Sequence, residues 1–300
     1  MSTTKKLFVI LGPTASGKTA LSIQLSKELN AEIISCDSRQ FYKELNIGAA
    51  PPSKNQLKQT KHHFIQHLSI KDNYNIGQYE KDAIKKIYSL FKIYNNLILV
   101  GGSGLYINAI CNGIDDIPET PQKIRNEINN VFLEKGIIWL QEKVKKIDLD
   151  FYKNSDTNNP QRLKRCLEVY LNTGQKISSF YKKNKIKRDF KIIKIGISTE
   201  REALYNKINH RVDQMIKNGL INEAKELFQY QKYNALNTVG YKELFSFFEK
   251  KIDKEIAIEE IKKNSRRLAK RQITWFKRDK EINWFNINKQ NEIIKFILKS

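Results

Sequence analysis

The sequence predicts an α/β fold in which a parallel sheet forms the core and an all-helical domain is inserted into it. Three observations carry this expectation. Apolar, β-like runs recur at residues 7–11, 32–35, 97–100 and 192–198, and segments long enough for a helix separate the first three. The first run leads directly into a glycine-bearing loop followed by a helix-like stretch. From Pro118 to about residue 189 no such run occurs, and the helical pattern is broken only by turn signals such as Asn158-Asn159-Pro160 and Asn172-Thr173-Gly174. The expected division is a core of residues 1–117 and 191–300 with a helical insertion of residues 118–190.

The first strand, Leu7-Phe8-Val9-Ile10-Leu11, precedes Gly12-Pro13-Thr14-Ala15-Ser16-Gly17-Lys18-Thr19, which meets the phosphate-loop pattern G-x-x-x-x-G-K-[ST] at every fixed position. A helix over residues 20–29 follows, apolar at Leu21, Leu25 and Leu29. The glycines let successive backbone N–H groups point into one concavity, and the helix adds its positive N-terminal end. Lys18 would reach the outer phosphates, and the Thr19 hydroxyl would hold a magnesium ion. The second strand ends in Ser35-Cys36-Asp37-Ser38-Arg39-Gln40. In a parallel sheet Asp37 emerges on the edge that carries the phosphate loop, because ligands gather at the carboxyl ends of such strands. There it would bind magnesium or accept a proton from an attacking group, or else serve as the N-cap of a following helix. The third strand runs into Gly101-Gly102-Ser103-Gly104, where a helix begins that Gly113 and Pro118 end. Ser103 could reach the same crevice. No acidic residue closes this strand, so the second magnesium-binding carboxylate usual in nucleoside triphosphatases is missing there.

Composition narrows the partner. In 300 residues with 40% hydrophobic content no segment approaches the roughly 20 apolar residues of a membrane span, and the N-terminal six residues lead into a strand rather than a signal peptide. A cytoplasmic protein with no membrane partner is expected, and a monomer by default. Cys36, Cys111 and Cys166 lack C-x-x-C spacing and are expected to be reduced and structural. The net charge is +22, of which residues 118–300 carry the larger part, with 40 basic against 23 acidic side chains. Two stretches stand out as phosphate-backbone surfaces. One opens with Gln161-Arg162-Leu163-Lys164-Arg165 and extends to Arg188, its 182–188 run reading equally as a solvated turn or an RNA contact. The other covers residues 261–280, where Ile261, Leu268 and Trp275 recur every seven residues as an anchoring face and leave Arg267, Lys270, Arg271, Lys277 and Arg278 around the rest of the helix.

Taken together these segments resemble the tRNA dimethylallyltransferases, also called tRNA isopentenyltransferases. The resemblance runs in order through Gly12 to Thr19, Asp37-Ser38-Arg39-Gln40, Ile47-Gly48-Ala49-Ala50-Pro51-Pro52, His62-His63, the loop from Gly101 to Tyr106, Asn159 to Arg165, Arg211, Val239-Gly240-Tyr241, and Lys270 to Arg278. It implies transfer of a dimethylallyl group from dimethylallyl diphosphate to N6 of the adenosine beside the anticodon of tRNA, with magnesium as cofactor and the anticodon stem-loop as macromolecular partner. Asp37 would be the base, since the N6 lone pair is delocalised and its proton must leave as the bond forms. Lys18, the loop N–H groups, Thr19-bound magnesium and Arg211 would stabilise the departing diphosphate. By the same resemblance Ser103 and Arg125 lie at the active site and also touch tRNA. Contacts to tRNA would come from Asp37, Ser38, Arg39 and Gln40; from Gln161, Arg162, Leu163, Lys164 and Arg165; from Thr238, Val239, Gly240, Tyr241, Lys242 and Glu243; and from Lys270, Arg271, Gln272, Trp275, Lys277 and Arg278. Thr238 stands where the family commonly has cysteine, and Lys242 where it has arginine. Two other readings fit the phosphate loop: a small-molecule kinase, which would turn over ATP without RNA, and a phosphate-regulated RNA-binding protein without chemistry.

Overall fold

The computed structural model describes residues 4–181 and 186–300. Part of the basic 182–188 run and the first three residues of the N-terminal segment lie outside the described residues. The chain divides into two compact units, Met1–Asn112 with Lys187–Ser300, and Gly113–Ile186. The boundaries thus fall at 113 and 186 rather than at 118 and 190. Gly113, at φ 77°, stops the preceding helix before the proline does.

In chain order the first unit contributes β1 (Lys6–Leu11), α1 (Lys18–Glu28), β2 (Ile33–Ser35), α2 (Lys54–Gln59), β3 (His62–His63), α3 (Ile76–Phe91), β4 (Asn96–Gly101) and α4 (Gly104–Asn112). The second unit holds α5 (Gln122–Ile147, interrupted at Gly136), α6 (Leu149–Asn154) and α7 (Pro160–Thr173). The first unit resumes with β5 (Lys191–Ser198), α8 (Arg201–Lys217), α9 (Leu220–Leu227), α10 (Tyr241–Phe248), α11 (Lys254–Phe276), β6 (Asn283–Asn286) and α12 (Gln290–Lys299).

The six strands form one parallel sheet in the order β3-β2-β4-β1-β5-β6. Helices cover both faces, which explains why the strands read as continuous apolar runs rather than alternating ones. In β1, Leu7, Val9 and Leu11 enter one core, and Phe8 and Ile10 enter the other. Register then fixes the working edge. Leu11 lies opposite Gly101 of β4 and Gly196 of β5, while Ser35 of β2 lies opposite Val100. The segments that follow β1, β2 and β4 therefore leave the sheet almost level with one another.

Two strands escaped the sequence reading. Residues 282–287 read only as a short apolar stretch, yet β6 pairs in parallel with β5, its Asn-Trp-Phe-Asn sequence carrying no β period while the flanking Ile282 and Ile287 are buried. At two residues, β3 is too short for any periodicity.

The helical unit has its own core, built on Ile128, Leu140, Val144, Phe151, Leu163 and Cys166. Asp148, fully buried, caps α6 by accepting from Phe151 N at 3.0 Å, and binds Ser178 through its backbone N (2.9 Å) and hydroxyl (2.8 Å). Among the described residues no helix is long and apolar enough to cross a membrane.

Candidate active site

The loop between β1 and α1 turns on Gly17, whose φ of 90° lies in the left-handed region that a side chain disfavours. Ahead of it, Lys18 folds back and donates from Nζ to Pro13 O at 2.5 Å and to Ser16 Oγ at 3.4 Å. The residue is partly buried. Burial pulls the Lys18 pKa down to about 8, with the positive charge of Arg211 adding to the fall and the negative charge of Asp37 opposing it. Arg211, projecting from α8, is pushed below its ordinary value by burial, and Asp37 again opposes the fall. Two desolvated cations thus share one carboxylate, an arrangement that favours a further anion.

Asp37 follows β2 at the level set by the sheet register. No helix begins there: Asp37 Oδ1 accepts from Arg39 N at 3.1 Å, two residues on, in a local turn rather than as a helix N-cap. Ser38 N lies 3.5 Å from Ser103 Oγ, which brings the second and third loops together. The Arg39 guanidinium donates to the carbonyls of Asn234 (2.9 Å), Ala235 (3.0 Å) and Asn237 (3.4 Å), and Gln40 Nε2 to those of Ala50 (3.1 Å) and Ala49 (3.5 Å). These side chains therefore shape neighbouring loops. Gln272 of α11 joins the phosphate loop to the β4–α4 turn, accepting from Thr14 N at 2.9 Å and donating to Gly102 O at 2.9 Å.

All of this surrounds one cavity of about 880 Å³ within the first unit. The loop residues from Thr14 to Thr19, Asp37, Ser103 and Arg211 line one part of it. Ile208, Val212, Met215, Leu220, Ile261 and Leu268, from α8, α9 and α11, supply an apolar wall. His62 also lines the cavity. Its Nδ1 faces Thr60 O at 3.0 Å, its buried Nε2 has no partner among the described residues, and burial lowers its pKa, so the ring is neutral near pH 7 with an acceptor to spare.

The residues that the family resemblance assigns to tRNA separate into outward and inward groups. In α7, Gln161 and Arg162 are exposed, Leu163 belongs to the helical core, and Lys164 is buried with Nζ on Asn129 Oδ1 (2.8 Å) and over the Phe132 ring (3.9 Å). Arg165 donates to Thr120 Oγ1 and Pro118 O, and both Arg165 and Arg125 pair with Glu168, at 3.6 and 3.8 Å. Arg125 thus belongs to the helical unit. Around Gly240, Thr238 and Val239 line the cavity and Lys242 is exposed, whereas Tyr241 and Glu243 are buried, Glu243 accepting from Gly240 N and Asn264 Nδ2, each at 2.8 Å. In α11 the buried seam is Ala257, Ile261, Ala269 and Phe276 rather than Ile261, Leu268 and Trp275. From Ala257 through Ile261 to Ala269 the seam follows four-residue steps rather than seven, which places it about 100° around the helix from Leu268. Leu268 faces the cavity, Trp275 is 39% exposed, and Lys270, Arg271, Lys277 and Arg278 are exposed.

One contributor has no counterpart in the sequence reading. The carboxylate of Glu223, on α9, accepts from the N–H groups of Asn46 (3.0 Å), Ile47 (2.8 Å) and Gly48 (2.9 Å) and from Tyr241 OH (2.6 Å). It holds the segment that carries Gly48, Ala49 and Ala50 along the cavity wall.

The IPP transferase family profile matches residues 40–279. A tRNA dimethylallyltransferase of Christiangramia forsetii is 53% identical over 96% of this chain and 95% of its own. One from Flavobacterium johnsoniae is 48% identical over 99% and 98%. Among solved structures, the tRNA isopentenylpyrophosphate transferase of Bacillus halodurans superposes with a TM-score of 0.72 at 34% identity, covering 98% of this chain and 96% of that one. A eukaryotic dimethylallyltransferase acting on tRNA gives 0.81 at 26% identity, over 98% of this chain and 80% of the other. With a profile that spans most of its length and relatives this similar from end to end, the chain belongs to the IPP transferase family, that of the tRNA dimethylallyltransferases.

Proposed function

We propose that the cavity transfers a dimethylallyl group from dimethylallyl diphosphate to N6 of the adenosine beside the anticodon of tRNA. The observation that carries this reading is the placement of the Asp37 carboxylate in the cavity lined by the phosphate loop and by the partly buried cations Lys18 and Arg211. The N6–C bond forms as the allylic C–O bond breaks. Asp37 takes the N6 proton, and the bonding pair leaves with diphosphate. Charge on the departing group meets the loop N–H groups, Lys18 and Arg211, where exclusion of water strengthens each interaction. The apolar wall from Ile208 to Leu268 suits a five-carbon chain, and the exposed cations of α11 suit an RNA backbone.

Magnesium fits this donor set as an ion held mainly by the substrate. Among the described residues no three acidic, histidine or cysteine side chains cluster to cage it, and Mg²⁺ is commonly held by substrate phosphates and water with few protein ligands. The Thr19 hydroxyl would complete its shell, and the ion would neutralise charge on the leaving diphosphate. We place the reaction in the cytoplasm and in a monomer. Three buried thiols that remain free support the compartment, and the monomer is the default.

Single-turnover transfer from labelled donor to an unmodified anticodon stem-loop tests the assignment of the base. Asp37→Asn should slow the step by about 10²–10⁴-fold while both substrates still bind. A variant that reacts at the wild-type rate would remove Asp37 from that role.

A further inference from the structure

Helix α11 carries two surfaces with different partners. Lys270, Lys277 and Arg278 are exposed. Gln272 and Trp275, three residues apart and so on one face, lie against the β4–α4 turn. The approach is close enough to dictate the sequence of that turn. A Cβ at Gly102 would lie 2.5 Å from Gln272 Nε2, and one at Gly104 would lie 2.3 Å from the Trp275 ring. Gly104 is thus needed because the Trp275 ring of α11 approaches so near, while a methyl at residue 102 would displace the flexible end of Gln272.

The amide of Gln272 uses both ends. Its oxygen accepts the Thr14 N–H of the phosphate loop, and its nitrogen donates to Gly102 O, the residue before Ser103. Neither partner has a side chain in the bond, so the backbone of the donor-binding loop and that of the turn carrying Ser103 are set by one side chain of the cationic helix. Arg271, the preceding residue, lines the same cavity.

We infer that Gln272 is a positioning residue that couples the seating of RNA on α11 to the binding of diphosphate by the phosphate loop. This rests on the RNA-prenylation reading. RNA on the exposed cations restrains α11; through Gln272 that restraint reaches Thr14 and Gly102, so the loop is already ordered when diphosphate arrives and less ordering remains to oppose binding. By linkage, diphosphate strengthens RNA binding by the same factor.

The test is the affinity of the full chain for inorganic diphosphate, measured by calorimetry with and without a saturating anticodon stem-loop RNA. In the wild type, RNA should tighten diphosphate binding by about fivefold or more, the lower range of coupling between sites. Gln272→Met keeps the length of the side chain and removes both hydrogen bonds. Gly102→Ala leaves Gln272 in place and drives its amide away. In each variant the ratio of diphosphate affinities with and without RNA should fall below about twofold. A thermal melt confirms that each variant is folded, and either one suffices if the other is not. A ratio near one in the wild type, or a folded variant that keeps the full ratio, would overturn the coupling. Failure of the underlying reading shows elsewhere, as a wild type that couples the two ligands yet forms no prenylated RNA.

Discussion

Replacing Lys18 by methionine should stabilise the ligand-free protein while weakening its hold on diphosphate. Burial brings the Lys18 pKa from 10.5 to about 8, so at neutral pH the fold carries an ammonium whose charged form it disfavours. Each pH unit of that displacement corresponds to about 1.4 kcal/mol, which sets an upper bound of about 3 kcal/mol on the cost. Methionine removes the charge and also the hydrogen bonds to Pro13 O and Ser16 Oγ, which as bonds from a charged donor, the second a weak one, are worth about 2 kcal/mol together. The net gain at pH 7 is therefore at most about 1 kcal/mol. The direction with pH follows from the lowered folded pKa. The penalty is fully present below pH 8 and is relieved as pH rises from about 8 toward 10.5, where the unfolded chain also loses the proton. Urea unfolding at a series of pH values should therefore show a wild type less stable than Lys18→Met at pH 7, with the gap closing above pH 8. Diphosphate binding, measured in parallel, should fall in the variant. A variant less stable than wild type at pH 7, or a gap that does not change with pH, would refute the electrostatic account of this loop.

Two further predictions concern the surfaces around the cavity. The combined substitutions Lys270→Gln, Lys277→Gln and Arg278→Gln should weaken tRNA binding and reduce the slope of log K against log salt by about 0.7–0.9 for each phosphate that is no longer neutralised; an unaltered slope in a filter-binding titration would take α11 out of the RNA interface. Glu223→Ala leaves three backbone N–H groups and Tyr241 OH without their carboxylate, and should cost about 2–4 kcal/mol with faster hydrogen exchange at Ile47 and Gly48. Slow exchange at those amides in the variant would show that the segment is held by something else.

The strand, glycine loop and helix around Gly12 to Thr19 were legible because the pattern is contiguous: a strand end and two glycines need no distant residue to define the turn. The position of Asp37 was also legible, since parallel strands deliver their carboxyl ends to one edge, though only the structure separates a local turn from a helix cap. Interactions across long sequence distances were not legible. Gln272 and Thr14 stand 258 positions apart, and nothing near either residue marks the bond. Glu223 sits in an ordinary run of charged helix residues and shows its role only where Ile47 and Gly48 fold onto it. In α7, charge suggested an outward-facing group, yet helical phase turns Lys164 inward onto Asn129 and Phe132.

The central claim, that this cavity joins a prenyl group to RNA and uses its phosphate loop for the leaving group, is tested most directly by mass spectrometry of nucleosides from unmodified tRNA incubated with purified protein, magnesium and dimethylallyl diphosphate, with and without ATP. The account predicts N6-dimethylallyladenosine and released diphosphate in equal amounts, independent of ATP. Unmodified adenosine throughout, or turnover that consumes ATP, would contradict it.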